Sequence, residues 1–511
     1  MRRSFIFLLI ATMIAALFSG CDKPIKAEYK GINIVLSDSG ITVDGAAATA
    51  DNSNGVYVAN DIVYYESGHD FTYGEGSEKD AHSPEEAAAH TVVHITKPGQ
   101  YIISGTLSRG QIAVDLGENA AKNPSAVVNL VLMNVDITCT VAPAIIFYNV
   151  YECGSKVEET ATANVDTSSA GANIIVPVRT NNTIHGSYVA KIYKPDSVVL
   201  NEDGTQVQDA KKLHKYDGAV YSRMSMNIKG NPDNFGNLNI YAANEGLDSE
   251  LHLTIYCGNI KIRSGNDGIN TNEDNISVTT INDGNLDIVV TGETGEGDGI
   301  DSNGWLVING GRVFAQGCAT SGDAGIDSDR GIHINGGWVV ATGNMLDRIG
   351  ESKQTYAVFQ MANATQGNFV LRNSQGSDIM KRDISNSFTY LIISCPGMTA
   401  GDYTLWQDGT QLEGIATGNM GSQRPGGMMP PDGMEPPTPP EGQQPPEGQR
   451  PPEGQQPPDG QRPDGQPEHS GRPEGGQFPG ATGTSSATFT ISVGGNYFVS
   501  VRKTAAYLPI T

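Results

Sequence analysis

A four-residue pattern recurs four times in the middle of the chain and restricts its fold more than any other feature. Each copy has glycine, an aliphatic residue, Asp or Asn, and then Ser or Thr, and the copies begin at Gly246, Gly268, Gly299 and Gly325. The spacings of 22, 31 and 26 residues are typical of one coil of a β-solenoid with inserts at its turns.

An alternating strand and a Gly-Gly turn follow the third and fourth copies. The segments 306–315 and 332–341 match position for position, and their period of two sends Leu306, Ile308 and Val313 to one face. One unit cannot bury its own apolar face, whereas stacked units share a core. The sequence therefore predicts an all-β fold, a right-handed parallel β-helix. A β-sandwich is the alternative, but it would not require the same corner four times.

Composition divides the chain into five predicted parts. Residues 150–215 are polar and irregular, and we expect them to be an excursion from the β-helix. Residues 423–482 repeat Pro-Glu-Gly-Gln and close variants, which predicts a disordered, polyproline-like insert. The predicted parts are a signal peptide at 1–20, a linker at 21–50, the β-helix at 51–422, the insert at 423–482 and returning strands at 483–511.

The N-terminus has the layout of a lipoprotein signal. Arg2 and Arg3 precede an apolar run that ends at Phe18, and Ser19 and Gly20 lead directly to Cys21. This order predicts export, cleavage before Cys21, and lipid on its thiol that holds the protein to a membrane of the cell envelope. An ordinary secretory signal that ends near a cysteine is the alternative.

Charge restricts the partners. The formal net charge is −24, which argues against nucleic acid because phosphate binding requires a basic surface. A bare acidic sugar polymer is disfavoured for the same reason, unless a cation bridges it to the protein. The five cysteines that remain after Cys21 indicate no disulfide framework.

Three sequence features carry a resemblance to a known family. They are the segment Asp217–Ser222, the Gly-Ile-Asp-Ser corners, and the Ile-Asn-Gly-Gly strand ends. In these the chain resembles bacterial carbohydrate-binding-domain-containing β-helix proteins, which are similar in fold to polysaccharide lyases. The resemblance implies that the domain at 51–422 binds a cellulose-like or pectin-like extracellular polysaccharide and carries calcium. Ala324 departs from it, because Asp267 and Asp298 stand at the equivalent positions.

Stacked corners would bring acidic residues together, since equivalent positions in neighbouring coils lie about 4.8 Å apart. Two carboxylates at that separation repel by roughly 3 to 4 kcal/mol at an effective dielectric constant of about 20. Calcium would neutralise them, because it accepts six to eight oxygen ligands. The alternative is that Asp and Asn cap their own turns in water. The candidate ligands are Asp248, Asn270, Asp301 and Asp327 in one column, with Asp267 and Asp298 beside Glu245 in a second.

A second candidate site lies on the outward face of the strands that follow the Gly turns. Arg312, Phe314 and Trp338 form a predicted patch of donors and flat apolar rings, which suits the C–H faces and hydroxyl groups of sugars. The alternative is that residues 356–403 fold over this patch and bury it.

Three functions are consistent with these features. The first is a non-catalytic, lipid-anchored polysaccharide-binding protein. The second is a calcium-dependent polysaccharide lyase of the pectate type, in which Arg330 or Arg312 would abstract the proton beside a uronate carboxylate. The third is a structural surface adhesin. We favour the first, because one arginine beside turn aspartates is weak evidence for catalysis.

Overall fold

The computed structural model describes residues 29–418 and 483–504, so the signal peptide, Cys21 and the whole Pro-rich insert lie outside the described residues. Its strands before residue 344 are β1 Ile32–Leu36, β2 Thr42–Val43, β3 Ala46–Ala47, β4 Val56–Ala59, β5 Thr91–Ile95, β6 Gly99–Leu107, β7 Gly110–Asp115, β8 Val128–Thr138, β9 Ile145–Asn149, β10 Ala172–Val176, β11 Asn181–Gly186, β12 Val189–Tyr193, β13 Val199–Leu200, β14 Val207–Asp209, β15 Lys212–Tyr216, β16 Gly218–Ser222, β17 Met226–Gly230, β18 Asn237–Ala242, β19 Glu245–Ser249, β20 His252–Ile255, β21 Asn259–Ser264, β22 Ile269–Thr271, β23 Val278–Ile281, β24 Asn285–Val290, β25 Trp305–Ile308, β26 Arg312–Gln316, β27 Gly331–Ile334 and β28 Trp338–Gly343. The later strands are β29 Tyr356–Asn373, β30 Asp378–Ser394, β31 Gly401–Gln407, β32 Thr410–Thr417, β33 Phe489–Ile491 and β34 Gly495–Lys503. Helical turns are short, at Pro84–Ala88, Ala120–Lys122, Glu158–Thr160 and Pro195–Ser197.

Most strands before residue 344 pair in parallel and form three ladders. One ladder runs through β10, β17, β20, β23, β25 and β27. A second runs through β11, β18, β21, β24, β26 and β28. The third is a seven-stranded sheet that includes β9, β16, β19 and β22. Apolar side chains from all three ladders, such as Ile255, Ile240 and Leu247, are fully buried in one core.

Glycine is required where the corners of the third ladder stack. A Cβ atom on Gly246 would collide with the carbonyl oxygen of Gly268, one on Gly268 with that of Gly299, and one on Gly299 with that of Gly325. The same three carbonyls accept hydrogen bonds from backbone amides of the neighbouring copy. The donors are Leu247 to Gly268 at 3.1 Å, Ile269 to Gly299 at 3.2 Å and Ile300 to Gly325 at 3.2 Å. The repeated glycine therefore permits the close backbone approach that sets the register of these strands.

The predicted fold class, a right-handed parallel β-helix across 51–422, is wrong for the chain as described. The largest sheet has 23 strands of mixed direction: β30 pairs antiparallel with both β28 and β29, and β31 pairs antiparallel with β29, β32 and β33. The physical reason is local. Strands β29 and β30 run for 18 and 17 residues without the repeated corner pattern, and the chain reverses between them at a turn at 373–377.

This antiparallel part has its own aromatic core. Phe359, Phe369, Phe388 and Phe498 are buried together, and Phe359 stacks on Phe498 with ring centroids 5.2 Å apart. Because β33 and β34 come from beyond the insert and pair with β31, β29 and β32, residues on both sides of the insert belong to one sheet.

The predicted linker at 21–50 is also corrected in its described part. Strand β1 pairs in parallel with β6, and Ile34 lies opposite Ile103. Ile34 is fully buried and belongs to the main core. This segment is therefore part of the sheet and not a linker that precedes it. Within the described residues, no helix is both long and apolar enough to cross a membrane.

Candidate cation clusters and sugar-binding face

The corner residues of neighbouring copies lie side by side. Asp248 is opposite Asn270 in the pairing of β19 with β22. The next copies continue this order, since Ile300 bridges Ile269 and the Asp327 amide donates to the Ile300 carbonyl at 2.7 Å. The stacking collects carboxylates into two clusters, each with oxygens within 4.8 Å of one another: Asp217, Glu245 and Asp248 in the first, and Asp298, Asp301 and Asp327 in the second.

The first cluster is buried and incompletely hydrogen bonded. Asn270 donates to Glu245 Oε1 at 3.2 Å, and Asn272 donates to Asp248 Oδ1 at 2.7 Å. The other oxygens, Glu245 Oε2, Asp248 Oδ2 and Asn270 Oδ1, have no hydrogen-bond partner among the described residues. Burying an acceptor without a partner costs about 1–3 kcal/mol. Three such acceptors at one point favour a bound cation.

Burial and charge act together on the titration of this cluster. Burial, followed by the neighbouring Asp217 carboxylate, raises the pKa of Glu245 to about 8, while the Lys215 ammonium opposes the rise. Burial and then the charge of Glu245 hold the pKa of Asp248 well above its usual range. The metal-free cluster therefore retains protons that ordinary carboxyl groups lose.

The second cluster is more open, because Asp298 and Asp301 are half-buried. Two carboxylates of the adjoining column cap backbone amides of the next copy: Asp267 accepts from the Asp298 amide at 2.6 Å, and Asp298 accepts from the Ala324 amide. Ala324 stands at the end of this column, so no carboxylate is needed at that position to cap a further copy. Burial, and then the charge of Asp327, raises the pKa of Asp298 well above its usual range.

Turn capping, one of the two interpretations of the acidic columns, therefore describes part of the structure. Turn capping uses one oxygen each of Asp267 and Asp298. Turn capping does not account for the acceptors of the first cluster that have no hydrogen-bond partner among the described residues. Six to eight oxygens at loose geometry suit calcium, and the donors here, carboxylates and an amide oxygen, are of the kind it prefers. The residues present therefore fit a calcium ion.

The outward face of the second ladder carries a line of amide and aromatic side chains. The positions in register are Asn181, Asn237, Asn259, Asn285, Arg312 and Trp338. Asn285 donates to Asn259 at 2.7 Å and Asn259 donates to Asn237 at 3.1 Å, which forms an amide ladder. The guanidinium of Arg312 lies 5.7 Å from the ring centroid of Trp338, and Trp338 is 37 % exposed.

Of the three residues predicted to form the sugar-binding patch, Phe314 does not reach the surface. It is 8 % exposed, lies in the aromatic core of the antiparallel part, and is covered by the guanidinium of Arg382 at 5.5 Å from its ring centroid. The alternative, in which residues 356–403 cover the patch, thus applies to Phe314, whereas Arg312 and Trp338 remain exposed.

A second aromatic surface lies on strands β11 and β18 of the same face. Tyr241 stacks on His185 with ring centroids 4.7 Å apart and an interplanar angle of 11°, and Tyr241 is 37 % exposed. Sequence reasoning missed this pair. The signal was the register of β11 with β18, which the irregular composition of residues 150–215 concealed.

Arg330, the preferred base of the lyase hypothesis, is engaged elsewhere. Its guanidinium lies 3.6 Å from Glu158 Oε1 and 4.9 Å from the ring centroid of Trp305.

Asp217 belongs to the first cluster, although the sequence analysis used it only for the family resemblance. Asp217 and Gly218 are followed by an aliphatic residue and by Ser222, as in the repeated corners. Ala219 is an additional residue between them, so the segment does not fit the four-residue pattern.

The chain is therefore an all-β protein with stacked carboxylates and a polar, aromatic sheet face. A family model described as "Carbohydrate-binding domain-containing protein" matches residues 89–206 and 178–357, which together exceed half of the sequence. The chain belongs to this family, and carbohydrate is the class of its ligand.

A solved structure, described as that of the polysaccharide lyase-like protein from C. thermocellum in a gadolinium derivative, is 20% identical to this chain, covers 63% of this chain and 92% of that chain, and has a TM-score of 0.33. No curated protein matches the sequence.

Proposed function

We propose that this protein is a non-catalytic receptor that holds an extracellular polysaccharide of the cellulose or pectin type on the outward face of its second ladder. The single observation that carries the proposal is the exposed Trp338 ring beside Arg312, in line with the amide ladder. A sugar ring packs its C–H face on an aromatic ring, while guanidinium and amide groups bind its hydroxyl or carboxylate oxygens.

The main test is retention on polysaccharide. We expect Trp338→Ala to weaken binding to insoluble cellulose or polygalacturonate about tenfold, because loss of an exposed aromatic anchor costs about 1–2 kcal/mol. Retention is measured by pull-down at several protein concentrations. Phe71→Ala is the matched control, since Phe71 is also an exposed aromatic residue. Equal retention of Trp338→Ala and the wild-type protein would remove this face from the proposal.

We further propose that calcium occupies the acidic clusters and supports binding of acidic glycans. The support is the set of orphaned buried acceptors in the first cluster together with the proximity of the carboxylates in both. Because the protein carries a net charge of −24, an acidic polymer requires a cation to offset repulsion. We expect a chelator to release the protein from polygalacturonate more than from cellulose. Equal release from both polymers would count against a role for calcium in glycan choice.

We also propose export and lipid anchoring through Cys21, which places the binding face outside the cytoplasm and against the cell envelope. The support is the order of basic, apolar and small residues that leads to Cys21, which is the order of a lipoprotein signal. Cys21→Ser should move the protein from the membrane fraction to the soluble fraction and abolish incorporation of labelled fatty acid. Retention in the membrane fraction would show that another feature holds it there.

A further inference from the structure

The first cluster contains a positive charge supplied by the chain itself. Lys215 Nζ lies 2.8 Å from Asp217 Oδ2. Asp217 shares its cluster with Glu245 and Asp248, and oxygens of the three carboxylates lie within 4.8 Å of one another. Lys215 therefore offsets one negative charge in a cluster of three carboxylates.

This ion pair does not complete the bonding of the cluster. The three orphaned acceptors, Glu245 Oε2, Asp248 Oδ2 and Asn270 Oδ1, remain without a hydrogen-bond partner among the described residues although Lys215 is present. Each belongs to a residue that is at most 8 % exposed. An ammonium has three donors on one tethered nitrogen, and here it contacts Asp217. A divalent ion could contact several of the oxygens at once.

The irregular excursion brings Lys215 to this position. Strand β15 pairs antiparallel with β12, with Val189 opposite Tyr216 and Tyr193 opposite Lys212. Lys215 precedes Tyr216, which is buried in the main core. The Lys215 side chain is 45% exposed, whereas that of Asp217 is 10% exposed, so Lys215 reaches the buried carboxylate from the protein surface.

The second cluster has a different setting. Asp298 and Asp301 are half-buried there, whereas the three carboxylates of the first cluster are buried. The two clusters thus differ in burial, although the same repeated corner builds them.

We propose that Lys215 is a tethered cation that pairs with the first cluster in the metal-free protein and must leave it when a divalent ion binds. This inference rests on the proposed calcium binding: the ammonium competes with calcium for the carboxylates, so the first cluster binds calcium more weakly than it would without Lys215. The excursion at 150–215 thereby sets the calcium concentration at which the first cluster fills.

The test is a calcium titration by isothermal calorimetry in a background that lacks the second cluster, Asp301→Asn with Asp327→Asn. In this background, Lys215→Met should bind calcium about tenfold more tightly than the parent, because the competing charge is gone. Without calcium it should melt at a lower temperature than the parent, and saturating calcium should remove the difference. Lys212→Met is the matched control, since Lys212 is exposed on the same strand, and it should change neither quantity.

Lys215→Arg separates charge from packing. It retains the positive charge and should keep the calcium affinity of the parent, and it should melt near the parent in the absence of calcium. If Lys215→Met folds only with calcium, that rescue supports the proposal as well. Unchanged affinity and unchanged melting in Lys215→Met would overturn the role of Lys215, while calcium binding by the wild-type protein would still leave the proposed calcium function standing. Absence of calcium binding by the wild-type protein and by every variant would overturn both.

Discussion

Gly299→Ala is expected to destabilise the protein by about 3 kcal/mol, at the upper end of the usual cost of overpacking. The added Cβ would collide with the carbonyl oxygen of Gly325 and would lie 3.0 Å from the Ala315 Cβ. Neither neighbour is the flexible end of a long side chain, so the strands that carry the second cluster must move apart. The shift is measured as the change in midpoint of a denaturant unfolding curve with its slope held in common.

Gly322→Ala is the matched control, because a Cβ at Gly322 meets no atom within 4 Å. We expect this variant to unfold within about 0.5 kcal/mol of the wild-type protein, as surface substitutions usually do. Equal midpoints for Gly299→Ala and Gly322→Ala would show that the backbones do not approach closely at this corner in solution.

In the metal-free protein, the buried carboxyl groups of the acidic clusters are expected to cost roughly 3 kcal/mol of stability as pH rises from 5 to 8. Burial raises the folded-state pKa of Glu245 to about 8, and those of Asp248, Asp267 and Asp298 are also raised. Between the ordinary pKa and the raised one, the folded state holds protons that the unfolded state has lost. The stability that these groups contribute is therefore fully present at low pH and is lost as pH rises through their folded-state pKa values.

Calcium should reverse this trend, because it binds the ionised carboxylates and competes with protons. The measurement is the melting temperature at pH 5 and pH 8, with chelator and with calcium. Glu245→Gln should reduce the pH dependence in chelator, whereas Glu118→Gln, a change at an exposed carboxylate, should keep it. Equal pH dependence of Glu245→Gln and the wild-type protein in chelator would contradict the raised pKa of Glu245.

The repeated corner predicts which residues become neighbours, because glycine there permits one close register. Asp248 opposite Asn270 follows directly from the spacing of Gly246 and Gly268. The antiparallel part could not be predicted in the same way. An alternating strand such as β29 has the same pattern in parallel and antiparallel sheets, so the direction of its partner depends on the turn at 373–377 and on packing of distant aromatic residues.

The candidate sites show the same division between local and tertiary information. Trp338 and Arg312 lie on the exposed face that strand alternation predicts, whereas Phe314, on the same face, is buried by a sheet that forms far along the chain. Lys215 carries no periodic signal, because its position depends on the hairpin of β12 with β15. Sequence periodicity therefore identifies the stacked carboxylates but not the charges that other segments bring to them.

Calcium titration of the mature chain tests the central claim most directly, since that claim is that stacked corners build cation sites in a carbohydrate-binding protein. We expect saturable binding with a Kd of about 0.1–1 mM, as in extracellular modules, and loss of the second-cluster component in Asp301→Asn with Asp327→Asn. The exposed pair Asp196→Asn with Asp233→Asn should titrate like the wild-type protein. No saturable binding by the wild-type chain, or equal binding by all three proteins, would contradict the account.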